Sequence, residues 1–295
     1  MKKNYFFSAV LAIAAAVACT EKGPVDFPIQ GDLTLYGENV AGQEVGVFVT
    51  SDGLPQSNLL YTAAEGEDEG AVALTAKAEK AGFKQGNHMI YAYAPYAEAA
   101  AELTAVPAPD YTKQATVGVD PFVGVEGMEA LLGLMLTYES QAKPVAYAAK
   151  EVASLTSAAI TLPFEELNPL IVISAGEPGL EGKNADAQVG KKIKKVVVTC
   201  NKPIAYSGQV LDLTTGKLTG GTASNSIELA VDITVTKMAY VMAKGFTFAT
   251  CLTEADLADA KFKIEMFVEG GKTYAAEDLS AKSGGIYALV LNEVE

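Results

Sequence analysis

The amino-acid sequence predicts an exported all-β protein, and three observations carry that expectation. Short apolar or alternating runs recur with Gly-rich or polar turns between them, at the spacing of a β-sandwich. The chain opens on Lys2 and Lys3, an apolar run over residues 6–18 and small residues ahead of Cys19, the pattern of a secretory leader. At 295 residues the length suits two ordinary domains better than one.

The leader is shorter than the roughly twenty apolar residues a membrane-spanning helix takes. Its end, Ala16-Val17-Ala18-Cys19, is a lipobox-like cut site with Ala in place of the usual Leu at the third position before the cut. Cleavage there makes residues 1–18 a signal peptide and leaves Cys19 as the new N-terminus, where a diacylglyceryl group anchors it to a membrane; the alternative is ordinary secretion with Cys19 as a spare thiol. Residues 19–30 carry charge, Gly and two prolines without period and read as a lipidated tether.

The first domain is expected over 31–155. Residues 32–36 alternate, and 43–50 form a second strand ending at the turn Ser51-Asp52-Gly53. The acidic run 65–70 reads as a solvated hairpin tip, since it lacks the ligand spacing of a calcium loop. Residues 72–75 and 86–96 are further strands. In the latter Tyr91 and Tyr93 share a face opposite Ile90 and Ala92, a strip better suited to sheet packing than to ligand stacking. Residues 97–109 read as a surface excursion with a helical turn. Residues 126–138 fit a short amphipathic helix or a buried strand, and the aperiodic span 143–157 marks the domain boundary near 155.

The second domain, 156–295, reads as strand after strand at 159–164, 170–174, 193–200, 226–236, 239–243, 246–248, 261–268 and 285–291. The lysine pairs 191–192 and 194–195 are read as solvent-facing protection of a sheet edge. Cys200 and Cys251 each close an apolar run, so either a disulfide between them or two buried thiols fits.

Composition excludes several functions. The net charge is −14, and losing Lys2 and Lys3 with the leader leaves 20 lysines against 36 acids, near −16. Nucleic acid and anionic lipid headgroups are therefore not expected as partners. There is no arginine and no tryptophan, which removes guanidinium clamps and the commonest sugar-stacking side chain. His88 is the sole histidine and has no nucleophile elbow near it; metal spacings, phosphate loops and dinucleotide fingerprints are missing too. Neither catalysis nor a cofactor is expected.

Several segments together resemble the fimbrillin family, the lipoprotein-derived type V pilins of Bacteroidetes. They are the lipobox at Cys19, Gly42-Gln-Glu-Val-Gly-Val-Phe48, Ile90-Tyr-Ala-Tyr-Ala-Pro-Tyr96, residues 160–173, residues 193–198 with Tyr206-Ser-Gly208, and Gly285-Ile-Tyr-Ala-Leu-Val-Leu291. The resemblance implies two tandem transthyretin-like β-sandwiches and a subunit of cell-surface fimbriae at the outer membrane, supporting adhesion. It also implies assembly with other fimbrial subunits by strand addition: a protease removes the first strand and a neighbour's strand fills the groove. Here Asp32, Leu33, Thr34, Leu35 and Tyr36 match the removable strand.

Two departures point to an anchor or accessory subunit. No Arg or Lys lies between Tyr36 and Val45, where the family is cut, and the sequence ends four residues after the late strand, short of the usual donor tail. Glu165 and Glu166 stand where the family often has His. The alternative is a non-polymerising surface lipoprotein of this fold that binds a host or glycan ligand.

Overall fold

A computed structural model describes residues 34–51, 54–55, 58–66, 70–81, 87–120, 123–128, 136–152, 159–176, 179–235, 245–287 and 289–295. It is all-β, with 56% of the described residues in strands and 4% in helix, so sheet pairing decides its architecture. The leader, the tether and the expected strand at 239–243 lie outside the described residues, as does most of the span 126–138.

The strands run as β1 (Leu35–Glu38), β2 (Glu44–Ser51), β3 (Leu54–Pro55), β4 (Leu59–Ala63), β5 (Ala71–Ala76), β6 (His88–Ala94), β7 (Val106–Pro107), β8 (Lys113–Val119), β9 (Thr137–Ser140), β10 (Ala146–Val152), β11 (Ile160–Pro163) and β12 (Glu165–Glu166). They continue with β13 (Ile171–Ala175), β14 (Gly179–Glu181), β15 (Lys192–Cys200), β16 (Ala205–Asp212), β17 (Lys217–Ser224), β18 (Ser226–Thr234), β19 (Phe246–Thr250), β20 (Phe262–Val268), β21 (Thr273–Leu279), β22 (Gly285–Ile286) and β23 (Val290–Glu293). Among the described residues a 3-10 turn spans Ala185–Gln188, and the short helix α1 (Glu254–Ala258) is capped by Thr253, whose Oγ1 accepts from the Asp256 N–H at 3.1 Å.

The first sheet has the order β11-β1-β5-β4-β2-β6-β10-β12, with β3 on β2. Its two end strands are separated in sequence by Phe164 alone, so the sheet must roll until its edges meet. Between β10 and β11 the seam is crossed by a side chain: Lys150 Nζ donates to the Thr161 carbonyl at 2.7 Å. Inward residues of alternate positions, among them Val45, Val47, Val49, Ile90, Ala92 and Leu162, fill the roll.

The second sheet has the order β14-β23-β21-β20-β15-β18-β8-β9-β19-β13-β22 and closes by the same device, used twice. β13 pairs parallel with β22 at one edge and β14 pairs parallel with β23 at the other. Phe246, Phe248, Phe262 and the aliphatic residues of β15, β18 and β20 form its core.

A third ribbon, β17-β16-β7, joins the two. Its Val106, Leu211 and Leu213 pack against Phe48, Tyr93 and Val145 on the outer face of the first sheet.

Four expectations are corrected here. The span 143–157 contains β10, paired along its whole length with β6; its fully buried residues, Ala146 and Ala148, are alanines, which hide the alternation. Residues 97–109 hold no helix and bury Ala100 and Val106. The sheets do not part at one point in the sequence: β8 and β9 pair into the second sheet, while β11 and β12 return to the first. The position near 155 itself lies outside the described residues. Finally, β15 is flanked by β18 and β20, so its lysines protect no edge. They face solvent as expected: Lys192 and Lys194 pair with Asp232, and Lys195 lies over the Phe267 ring.

Candidate strand-exchange site

β1 is short, yet it is held on both sides. It pairs antiparallel with β5 and parallel with β11, four residues each, and Ile160 donates its N–H to the Thr34 carbonyl at 2.9 Å. Leu35 points into the roll and is 2% exposed, while Tyr36 and Glu38 are half-buried. Gly37 meets a close approach. A Cβ there would sit 2.6 Å from Val40 Cγ2, 3.1 Å from Phe164 Cε2 and 3.3 Å from Leu74 Cδ2. Of the five residues expected in the removable strand, Leu35 and Tyr36 lie in β1 and Thr34 directly precedes it. Asp32 and Leu33, like Cys19, lie outside the described residues.

The link from β1 to β2 is tied down. Val40 is completely buried, Gly42 donates to the Ala64 carbonyl at 3.2 Å and Gln43 to that of Val40 at 3.1 Å. Asn39 takes a left-handed backbone, φ 60°, and its Nδ2 donates to the Phe164 carbonyl at 3.2 Å. At the other end of the chain, β23 sits between β21 and β14 and is occupied within its own fold.

Beside this link a cavity of about 530 Å³ opens at the mouth of the roll, lined by Asn39, Gln43, Lys143, Pro144, Phe164 and Glu166 among others. Sequence reasoning missed it. Gln43 sits alone in a turn, and nothing in its neighbours' spacing marks it.

The tyrosine strip is packing, as expected. Tyr93 is 1% exposed, stacks on Phe48, accepts from the Ala97 N–H at 3.2 Å and donates to Asn58 Oδ1 at 3.1 Å. Burial pushes its hydroxyl up to about 12, against the opposing effect of those bonds. Tyr147 donates to the Leu213 carbonyl at 2.9 Å and lies against Gly216 in the ribbon's turn. Burial, with Tyr91, Asp212 and Glu165 adding negative potential, also moves it to about 12. These contacts fasten the ribbon to the first sheet.

Cys200 and Cys251 are free thiols, so the bridge that the sequence allowed is not formed. Cys200 Sγ is turned toward Asn201 Oδ1 at 3.4 Å, and burial pushes the Cys251 thiol up to about 11. Both behave as small apolar groups. Among the described residues no group of three or more His, Cys, Asp or Glu side chains could hold a metal ion, and no helix is long and apolar enough to cross a membrane.

No family model and no curated protein matches the sequence. Solved structures similar to this chain are adhesins and fimbrial proteins of Bacteroidetes. One is a candidate cell adhesion protein from Bacteroides uniformis, 15% identical, covering 90% of each chain with a TM-score of 0.38. Another is a fimbrial assembly protein from Parabacteroides distasonis, 14% identical, covering 83% of this chain and 85% of its own, TM-score 0.30. The fimbrial anchor protein Mfa2 from Porphyromonas gingivalis is 11% identical over 79% of this chain and 77% of its own, TM-score 0.28.

Proposed function

We propose that this chain is an accessory, anchor-type subunit of cell-surface fimbriae, held at the outer membrane by a lipid on Cys19 and associated with other fimbrial subunits, its own first strand filling the slot that strand addition would otherwise use. The observation that carries the reading is the setting of β1. It is the first strand among the described residues and fills a slot between β5 and β11 with one large core side chain, Leu35. Such a slot is a template for strand addition, in which main-chain hydrogen bonds supply affinity and alternate side chains fill pockets.

Retention of β1 is supported by its C-terminal link. A protease needs an extended, accessible segment, whereas residues 39–43 bury Val40 and commit backbone groups to the fold. They also lack a basic residue. With β1 in place the chain presents no open slot there and is suited to the base of a fibre, with residues 19–30 as its tether.

Unheated surface fractions separated in SDS test this. The chain is expected in high-mass species that collapse to the monomer on boiling. A protein that is monomeric before and after heating, in cells that carry fimbriae, would refute fimbrial assembly.

A further inference from the structure

The far half of β8 parts from its neighbour in the second sheet. Its ladder with β18 stops at Ala115↔Ala230, and the Asp232 carbonyl further along β18 accepts from Tyr138 Oη at 2.6 Å instead. On its other side β8 stays paired with β9 as far as Val119. In that ladder Gln141 donates to the Ala115 carbonyl, while Tyr138 donates away from β8, to Gly245. Bonded pairs of an antiparallel ladder alternate, so they fall at Ala115, Val117 and Val119. Gly118 therefore turns its N–H and C=O to the open side, where no described strand pairs with them.

Sheet edges are commonly blunted by lysine, proline or a bulge. β17, whose outer edge is also unpaired among the described residues, is bent by Gly220 and Gly221 at left-handed φ of 68° and 86°. Residues 116–119, Thr-Val-Gly-Val, carry none of these devices. Val117 and Val119 share the outer face and are 46% and 38% exposed, and Val123 and Val125 just beyond them are exposed too. Apolar surface gathered in this way marks a contact site. Its charge narrows the partner. Between Lys113 and Lys143 the chain carries Asp120, Glu126, Glu129 and Glu139 and no cation, and exposed Glu139 stands opposite Val117. An acid-flanked apolar edge complements a strand with basic flanks and repels a second copy of a chain whose net charge is −14.

We infer that the open edge of β8 takes up an extended polypeptide segment of a partner protein, apolar at alternate positions and flanked by lysine or arginine. Gly118 supplies the main-chain hydrogen bonds, the segment's apolar side chains cover Val117 and Val119, and its cations meet Glu139. This surface is separate from the β1 slot, so the inference stands whether or not β1 is retained.

The test titrates full-length protein with fluorescent synthetic peptides that alternate valine with lysine or valine with glutamate, and with phosphatidylcholine vesicles. The lysine peptide is expected to bind about tenfold or more tightly than the glutamate peptide, and less tightly as salt is raised. General attraction to an acidic chain is separated by the variants. Gly118→Pro removes the outward N–H and breaks no bond to β9, and a Cβ there meets nothing nearer than 3.7 Å. It is expected to melt with the wild type and to bind the lysine peptide about tenfold more weakly. The double variant Val117→Thr, Val119→Thr keeps the side-chain shape and is expected to lose a similar factor. Val290→Thr, at an equally exposed valine on β23, is expected to change nothing. No binding of the lysine peptide, equal binding of the two peptides, or binding unchanged in both the Gly118→Pro and the double-valine variants would overturn the inference. Self-association or vesicle binding abolished by these same variants would also overturn it, by giving the edge to a second copy or to lipid.

Discussion

Replacing Gly37 by alanine probes the slot that holds β1. The added Cβ would lie 2.6 Å from Val40, 3.1 Å from Phe164 and 3.3 Å from Leu74, on three different segments of the chain. None of the three has room to retreat: Val40 is 0%, Phe164 3% and Leu74 5% exposed. Overpacking of this kind costs about 1–3 kcal/mol. Taking about 2 kcal/mol, and the usual about 2–4 °C per kcal/mol for a chain of this size, the melting temperature should fall by about 4–8 °C. Differential scanning calorimetry of Gly37→Ala gives that number. Gly179→Ala is the control, since a Cβ there meets nothing within 4 Å. Hydrogen exchange should also quicken at Ile160, whose N–H donates to Thr34, before it quickens in β15 at the centre of the second sheet. A Gly37→Ala protein that melts with the wild type, or exchanges uniformly faster in both sheets, would show that the slot is not packed as described.

Other perturbations test the remaining supports. Gln114 is 4% exposed, donates to the carbonyls of Ala249 and Tyr111 and accepts from the Ala249 N–H, so Gln114→Leu orphans backbone groups of β19 and should cost about 2–3 kcal/mol by denaturant titration. Tyr147→Phe removes the bond to Leu213 that fastens the ribbon and should cost about 1 kcal/mol, with protease sensitivity rising first in residues 205–224. Tyr93, Tyr111 and Tyr147 are pushed from 10.0 up to about 12, and Cys251 from 9.0 to about 11. The unfolded chain then loses these protons first. Stability should be intact below pH 9 and decline as pH rises toward 12, read as a falling melting temperature together with a late phenolate absorbance step. Alkylation should leave Cys251 unmodified at pH 8 until denaturant is added.

Much of the strand content was legible because apolar side chains alternate where one face is buried. β2, β5, β6, β11, β13, β15, β18 and β20 all follow such runs. The missed strands lack that contrast. β10 buries Ala146 and Ala148, β17 is exposed along most of its length, and β21 buries Tyr274, Ala275 and Ala276 in succession. Which sheet a strand joins is not a local property at all. A single residue, Phe164, carries the chain across the first roll, and β8 and β9 are drawn into the second by partners more than a hundred residues away. The lysines of β15 illustrate the same limit: their solvent exposure follows from alternation, but whether the strand is an edge depends on β18 and β20. The candidate site was legible only in outline. The first strand could be found from its alternation, while the buried link at Val40 and the cavity at Gln43 appear only when segments 39–43, 143–144 and 164–166 meet.

Mass spectrometry of the mature N-terminus, on protein taken from the cell surface, tests the central claim most directly. A chain beginning at acylated Cys19 with β1 still attached is the predicted result. A chain beginning between residues 37 and 46 would contradict it, because the first strand and its lipid would then have left the protein together.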